Sequence, residues 1–293
     1  NNISSNQTLH RIINTVPIES LVIESPLHDN RTKYGLVLLV ICAQSEKEER
    51  NEIRRQWASI NESEMQKTKR SLVIFVVSKS SSLAQETSIF GDLLQIDLEE
   101  SYRNMVYKIE SSYRWVKQNI ESEFVVKVDS DTVVHIDRLY DQLKRNERIQ
   151  SGDWLACYSG PHFPPIRDKC SPWYVSDADY PLDFFPPYCN GPAYVMKRAT
   201  FDKIVERMKM HKIIEIEDAF FTGIVAGEFT SIVLSSMFAE KYTDFSNCDA
   251  HGPTLSFLNT HKQFGQIGGK NLTAAWERLK RPQCYNSLTK LFL

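Results

Sequence analysis

The sequence contains no run of about 18 consecutive apolar residues, so no stretch of it reads as a helix spanning a bilayer. It shows no signal peptide, and its first residue is Asn rather than Met. It is therefore read as a trimmed or mature fragment, a reading that leaves room for a removed membrane anchor. None of its cysteines forms a C-x-x-C pair, which argues against a zinc ribbon or a thioredoxin-like site. The patterns G-x-x-x-x-G-K-S/T, H-E-x-x-H, G-x-S-x-G and G-x-G-x-x-G are all absent. ATPase, zincin, α/β-hydrolase and Rossmann dehydrogenase readings thereby lose their main sequence support. There is little net charge: 35 Lys+Arg against 37 Asp+Glu leave −2, so broad attraction to nucleic acid is not expected. With 42% apolar and 25% charged residues, the 293-residue chain is neither disordered nor fibrous.

What is present points first to a compartment. Five N-x-S/T sequons occur, at Asn2, Asn6, Asn30, Asn61 and Asn271. Six cysteines accompany them: Cys42, Cys157, Cys170, Cys189, Cys248 and Cys284. An even cysteine count together with sequons favours an oxidising lumen, the alternative being six reduced thiols in a cytosolic enzyme. Cys42 closes an apolar run and reads as a free core thiol in either case. The sequence does not choose among the pairings of the others.

Residues 1–32 are polar and turn-rich and read as a stem or linker, leaving 33–293 as one domain. Gly35–Cys42, Leu72–Val77 and Phe124–Val128 are continuous apolar runs of the kind found in buried parallel strands. Tyr102, Val106, Ile109, Tyr113, Val116 and Ile120 recur at helical spacing and predict a helix with one buried stripe. Further helices are expected at Thr200–Met210, Glu217–Gly227 and around Ala274–Leu279, with short strands at Ser231–Leu234 and Leu255–Thr260. Strands alternating with helices predict an α/β fold with a mostly parallel central sheet flanked by helices. Residues 160–192 stand apart. They are rich in proline and aromatic residues, too long for a plain connection, and such loops are usually functional.

Asp129-Ser130-Asp131 follows directly on an apolar strand. A D-x-D pair arises by chance about once in a chain of this length, and a second, Asp177-Ala-Asp179, lies in the long loop with no strand before it. Position separates them, because open α/β sheets place ligands at the carboxyl ends of their strands. Two carboxylates there can share a hard divalent cation and the diphosphate it neutralises. The bland alternative is a solvated acidic turn.

The wider pattern resembles the β1,3-glycosyltransferases of family 31, type II Golgi enzymes with the GT-A fold. Ordered blocks over about residues 34–265 carry the resemblance. Arg50-Asn-Glu-Ile-Arg-Arg-Gln-Trp57 looks like R-x-x-I-R-x-T-W. Gln95-Ile-Asp-Leu-Glu-Glu-Ser-Tyr-Arg-Asn104 with Lys108 looks like Q-x-D-F-x-D-S-Y-x-N-L-x-x-K. Arg114-Trp-Val116 and Phe124-Val-Val-Lys-Val-Asp-Ser-Asp131 follow. Trp173-Tyr-Val175, Tyr180-Pro181 and Pro186-Pro-Tyr-Cys-Asn-Gly191 are similar to W-Y-V, Y-P and Y-P-P-Y-C-x-G. Glu217-Asp218 with Gly223 resembles E-D-V-x-x-G, and His261 stands where the family has a late histidine. Three departures occur. Asn190-Gly-Pro-Ala replaces a small-residue run, Ala219 replaces a valine, and Ile224-Val225 stand where a cysteine is common.

The resemblance implies a metal-dependent inverting glycosyltransferase that uses a UDP-sugar and Mn2+. Asp131 is then the metal ligand, with Asp129 supporting the metal or the ribose and His261 supplying a nitrogen; His251 competes for that place. Asp218 is the general base, with Glu217 a neighbour able to exchange roles with it. Arg50, Arg54, Trp57, Asn104 and Lys108 would line the nucleotide site; the alternative for the first three is a charged helix face in solvent. Trp173, Tyr174, Tyr188, Asn190 and Gly191 would form the sugar and acceptor pocket, or else plug the core beneath the long loop. The donor inclines to galactose, with N-acetylglucosamine and N-acetylgalactosamine as alternatives. The acceptor is a glycan on a glycoprotein, a glycolipid or a proteoglycan linker. A carbohydrate-binding protein without turnover and a metal-dependent phosphodiesterase are the competing classes.

Overall fold

A computed structural model of the chain describes residues 21–29, 31–159, 163–234, 237–239, 248–260, 271–281 and 284. The fold is α/β, as the alternation of apolar runs and amphipathic stretches predicts. Eight strands make the main sheet: β1 (Val22–Glu24), β2 (Lys33–Ile41), β3 (Ser71–Ser78), β4 (Leu93–Ile96), β5 (Glu121–Asp129), and then β7 (Trp154–Cys157), β8 (Ala193–Lys197) and β9 (Ser231–Leu234). Their order is β1-β4-β3-β2-β5-β8-β7-β9. β4-β3-β2-β5 run parallel, and so does the β7–β9 pair; β8 lies antiparallel between β5 and β7. The sheet therefore changes direction at the carboxyl end of β5, which is where the D-x-D turn emerges. A smaller sheet joins β6 (Thr132–Val134), β13 (Phe257–Asn259) and β10 (Phe238–Ala239) beside it. Two further short strands, β11 (Cys248–Asp249) and β12 (Gly252–Pro253), pair with each other.

The central strands are apolar on both faces because both faces are covered. Val37, Leu39, Ile41 and Val125 point to one core, built against helices at Met105–Asn119, Arg198–Arg207 and Ala219–Val225. Leu36, Leu38, Val40, Val126 and Val128 point to the other, built against helices at Lys47–Arg55, Ile136–Arg145 and Leu272–Lys280.

Three expectations change. Residues read as stem include β1, which pairs antiparallel with β4, so the sheet begins inside that segment. The helix expected from Tyr102 begins at Met105. The chain turns at Ser101–Asn104, where the Asn104 N–H donates to the Ser101 carbonyl, and Tyr102 is left 41% exposed. Val106, Ile109, Tyr113 and Val116 do form the buried stripe. The helix expected at Glu217–Gly227 is a π-helix over Ala219–Val225, closed by a 3-10 turn at Ala226–Glu228. Thr222 explains the wider winding in part: its hydroxyl donates to the Asp218 carbonyl and accepts the Cys189 N–H at 2.9 Å. π-segments recur at functional sites.

Candidate active site

The acidic turn is built by the end of β5. Successive residues of a strand point to opposite faces, so Val125, Lys127 and Asp129 share one face. The Asp129 N–H donates to the Pro192 carbonyl (3.0 Å) and the Ser130 N–H to the Ile41 carbonyl (3.2 Å), which pins the turn to both neighbouring strands. The Ser130 hydroxyl donates to Glu46 Oε2 at 2.8 Å. Asp131 is nearly buried. Asn259, paired with Thr132 across the β13–β6 ladder, donates its amide to Asp131 Oδ1 (2.9 Å) and to the Thr132 hydroxyl (2.8 Å). Both the N–H and the hydroxyl of Thr260 donate to the Asp131 carbonyl, at 2.9 and 2.8 Å. Strand pairing thus sets the orientation of Asp131.

Behind the turn lies a lysine that spacing alone did not single out. Lys127 is fully buried. Its ammonium donates to Asp129 Oδ1 (2.7 Å), Glu217 Oε1 (2.7 Å) and the Gly191 carbonyl (2.6 Å), which uses all three of its N–H groups. Burial works against the charged form, but the carboxylates of Asp129 and Glu217 outweigh it and raise the Lys127 pKa. Glu217 also accepts the Tyr194 hydroxyl at 3.4 Å, and Tyr194 shares a 2.7 Å hydrogen bond with Tyr113. Burial pushes the Glu217 carboxyl up to about 7, with Lys127 acting in the opposite direction.

Asp218 precedes the π-helix and caps it. Its Oδ1 accepts the Ala219 N–H (2.8 Å) and its Oδ2 accepts the Gly191 N–H (3.0 Å). Burial raises its pKa to about 6. A carboxylate poised there can take a proton near neutral pH. A Cβ on Gly191 would sit 3.4 Å from Asp218 Oδ2 and 3.5 Å from Glu217 Oε1, so the backbone approaches both carboxylates closely. Around them lie Tyr188, whose phenol pKa is raised by burial and by the Asp218 charge, and Tyr102. Burial and the charges of Asp218 and Glu217 raise the Tyr102 pKa, while a hydrogen bond with Trp173 opposes them.

The long loop is both core and surface. Val175, Tyr180, Phe185 and Cys189 plug the core, whereas Trp173 is 39% exposed and Tyr174, Tyr188 and Asn190 are half-buried. Arg167 organises it by donating to the carbonyls of Val175, Tyr180 and Leu182. A narrow cavity of about 20 Å³ beside Asp131 is lined by Thr132, Tyr158, Asn190, Pro192, Phe257 and Asn259 among others. The second D-x-D stays apart: Asp177 and Asp179 pair with Arg167 and Lys212.

The residues expected to line a nucleotide site are mostly engaged in bonds within the fold. Arg50 is fully buried and makes a two-pronged bond to Glu86 (2.7 and 2.8 Å) as well as bonds to the carbonyls of Ala43 and Gln44. Arg54 bonds Glu86 and Asp92, and Trp57 is fully buried. Lys108, also buried, donates to the Cys42 carbonyl and to Glu100 (2.9 Å each). Arg50 and Lys108 thereby brace the turn after β2, whose Ile41 carbonyl and Glu46 side chain bond Ser130. Asn104 is half-buried, and its amide donates to the Glu99 carbonyl.

Asp129 and Asp131 offer the hard oxygen donors that a divalent cation takes. Among the described residues no group of three or more His, Cys, Asp or Glu could hold a metal ion. His261, the expected nitrogen ligand, lies outside the described residues, as do Asn2, Asn6 and Asn30. Asn61 and Asn271 are exposed, and Asn271 caps the Leu272–Lys280 helix.

Comparison with known proteins places the chain in a family. A family model described as "Galactosyltransferase" matches residues 48–232, from the first bracing helix to β9. The chain belongs to the galactosyltransferase family. It is 31% identical over 192 residues to human beta-1,3-galactosyltransferase 5, covering 63% of this chain and 60% of that protein. It is 28% identical to mouse beta-1,3-galactosyltransferase 1 over 195 residues (63% and 58%). It is 25% identical to Caenorhabditis elegans beta-1,3-galactosyltransferase bre-2 over 193 residues (61% and 53%). The matched stretch thus spans about 60% or less of the length of these curated relatives. It contains Lys127, the D-x-D turn, the long loop and Asp218.

Proposed function

We propose that the protein is a metal-dependent inverting glycosyltransferase that moves galactose from UDP-galactose to a hydroxyl of a glycan acceptor, forming a β1,3 linkage. The observation that carries this reading is the meeting of two acidic groups with different environments. A turn with two carboxylates at a strand end stands beside a carboxylate of raised pKa held by backbone N–H groups.

In the reaction, the acceptor oxygen attacks the anomeric carbon from one face while the bond to the diphosphate breaks on the other. Asp218 takes the hydroxyl proton, and UDP leaves with the bonding pair. Asp129 and Asp131 would hold Mn2+, with His261 as a nitrogen donor. When bound, the metal neutralises charge on the leaving diphosphate. Trp173, Tyr188 and Tyr102 present aromatic surface suited to the apolar face of a sugar, and Asn190 offers an amide to its hydroxyls. Two disulfides, Cys157–Cys189 and Cys248–Cys284, suit an oxidising lumen, which we take to be the Golgi, the protein being tethered there by an N-terminal anchor.

The test is UDP release with Mn2+ across UDP-galactose, UDP-N-acetylglucosamine and UDP-N-acetylgalactosamine, each with a panel of glycoprotein, glycolipid and linker acceptors. Acceptor-dependent release with UDP-galactose supports the proposal, and preference for an N-acetylated donor changes the sugar. Glycan binding without release in any combination overturns it, as does full activity in excess EDTA.

A further inference from the structure

Lys127 is a charged residue in the middle of a hydrophobic strand. A buried ammonium is costly unless every N–H is paired and opposite charges stand close. Here each of its three acceptors belongs to a different part of the site. Asp129 belongs to the acidic turn, Glu217 to the base segment and Gly191 to the turn that closes the long loop. The Gly191 peptide works in both directions: its carbonyl accepts from Lys127 at 2.6 Å and its N–H donates to Asp218 Oδ2 at 3.0 Å. The next carbonyl, of Pro192, accepts the Asp129 N–H at 3.0 Å and the Thr132 hydroxyl at 3.3 Å. A continuous chain of bonds therefore runs from Asp129 through Lys127 and Gly191 to Asp218. Glu217 is committed elsewhere, since Lys127 and Tyr194 occupy its two oxygens.

We propose that Lys127 is a positioning residue that fixes the acidic turn and the Gly191–Asp218 pair at one separation, and that Glu217 is its buried counter-ion rather than a second base. The proposal rests on the transferase reading for its kinetic consequence only. The linkage itself is a property of the fold. A base displaced by about 1 Å costs on the order of 100-fold in rate, so a rigid link between donor side and base side has a kinetic effect without touching substrate.

The test uses the whole chain and three variants: Lys127→Met, Glu217→Gln, and the two combined. Lys127→Met leaves two carboxylates without their cation and can fail to fold. The combined variant removes the ammonium together with one partner charge. In the folded combined variant kcat falls about 100-fold while the donor KM moves by less than about threefold, a split that general loss of structure does not give. Glu217→Gln alone, which keeps an acceptor oxygen for Lys127, loses less than about tenfold in kcat. Independently of transfer, the Gly191 and Ala219 amides exchange hydrogen at least about tenfold faster in the combined variant, with Val37–Ile41 unchanged. That measurement reads the linkage even if the wild-type protein shows no transferase activity, which would sink the transferase reading alone. Unchanged exchange at Gly191 and Ala219 overturns the proposal, as does kcat within about threefold of wild type in the combined variant. Loss of the fold in both Lys127 variants would also overturn it and assign Lys127 to stability alone.

Discussion

At the scale of single residues, the surroundings of Asp218, the proposed base, set the pH at which it could act. Burial raises its pKa to about 6, and two backbone N–H groups keep it from rising further. A base must be unprotonated, so kcat/KM should rise as pH passes upward through about 6 and level off above it. A pH–rate profile reads this directly, and a profile flat from pH 5 to about 8 would remove Asp218 as the base. Asp218→Asn should cost about 100- to 10,000-fold in kcat while the protein stays folded, with a lower thermal midpoint because the amide can accept only one of the two backbone N–H groups. The acidic residues could be picked out in the sequence because their spacing and their place after an apolar run already say what carboxylates can do. Lys127 could not, although it sits in the same run. Its partners Gly191 and Glu217 are 64 and 90 residues away, and only β8 and the π-helix bring them to it. Asn259 was hidden for the same reason, since its contact with Asp131 exists only through the β6–β13 pairing.

At the scale of elements, the charged helix Lys47–Arg55 shows how sequence and structure part. Its block of arginines reads in the sequence as a nucleotide-binding face with a solvated face as the alternative, and in the structure Arg50 is buried and Arg54 half-buried, so a fully solvated face does not form. Arg50 and Arg54 converge on one buried carboxylate, Glu86, of the helix at Ala84–Phe90. Burial alone would raise the Glu86 pKa, but the hydrogen bonds from both arginines outweigh it and the pKa is lowered. Glu86→Ala leaves the Arg50 guanidinium buried and unpaired, so it should destabilise the fold by about 3–5 kcal/mol in urea titrations. A loss below about 1 kcal/mol would show that the network is no stronger than an exposed pair. The π-helix gives a second prediction. A Cβ at Gly223 would lie 3.0 Å from Tyr188 Cβ and 3.4 Å from Pro186 Cγ. Gly223→Ala should therefore cost about 1–3 kcal/mol by overpacking and displace Tyr188, read as a higher acceptor KM with the donor KM unchanged. The hydrophobic pattern announced a helix here but carried no sign of its winding, which the Thr222 hydroxyl and the close approach of the long loop help to set.

At the scale of the whole molecule, the sheet was readable from its apolar runs because strands buried on both faces need no alternation. The edges were less so. β1 lies in a segment whose polar composition suggests a linker, and it is a strand because the outer edge of β4 offers it hydrogen bonds. The cysteines were harder still, since pairing depends on which ends the fold brings together. The Cys157–Cys189 bridge joins the end of β7 to the turn just before Gly191, and so closes the long loop at its base. Closing a loop whose ends stand 32 positions apart in the sequence is worth about 3–4 kcal/mol in the chain-entropy account. Its larger consequence lies in the site, because Asn190, Gly191 and Pro192 follow Cys189 directly and carry the bonds to Asp218, Lys127 and Asp129. Cys157→Ser with Cys189→Ser should therefore lower the thermal midpoint and also lower kcat in whatever fraction remains folded at 25 °C. Cys170→Ser, which removes an exposed free thiol, serves as the matched control and should leave both unchanged. If the double serine variant loses stability but keeps full kcat when folded, the remaining hydrogen bonds position Gly191 without the bridge. If kcat falls with the midpoint held up by added glycerol or sucrose, the covalent closure of the loop is itself part of how the base is placed.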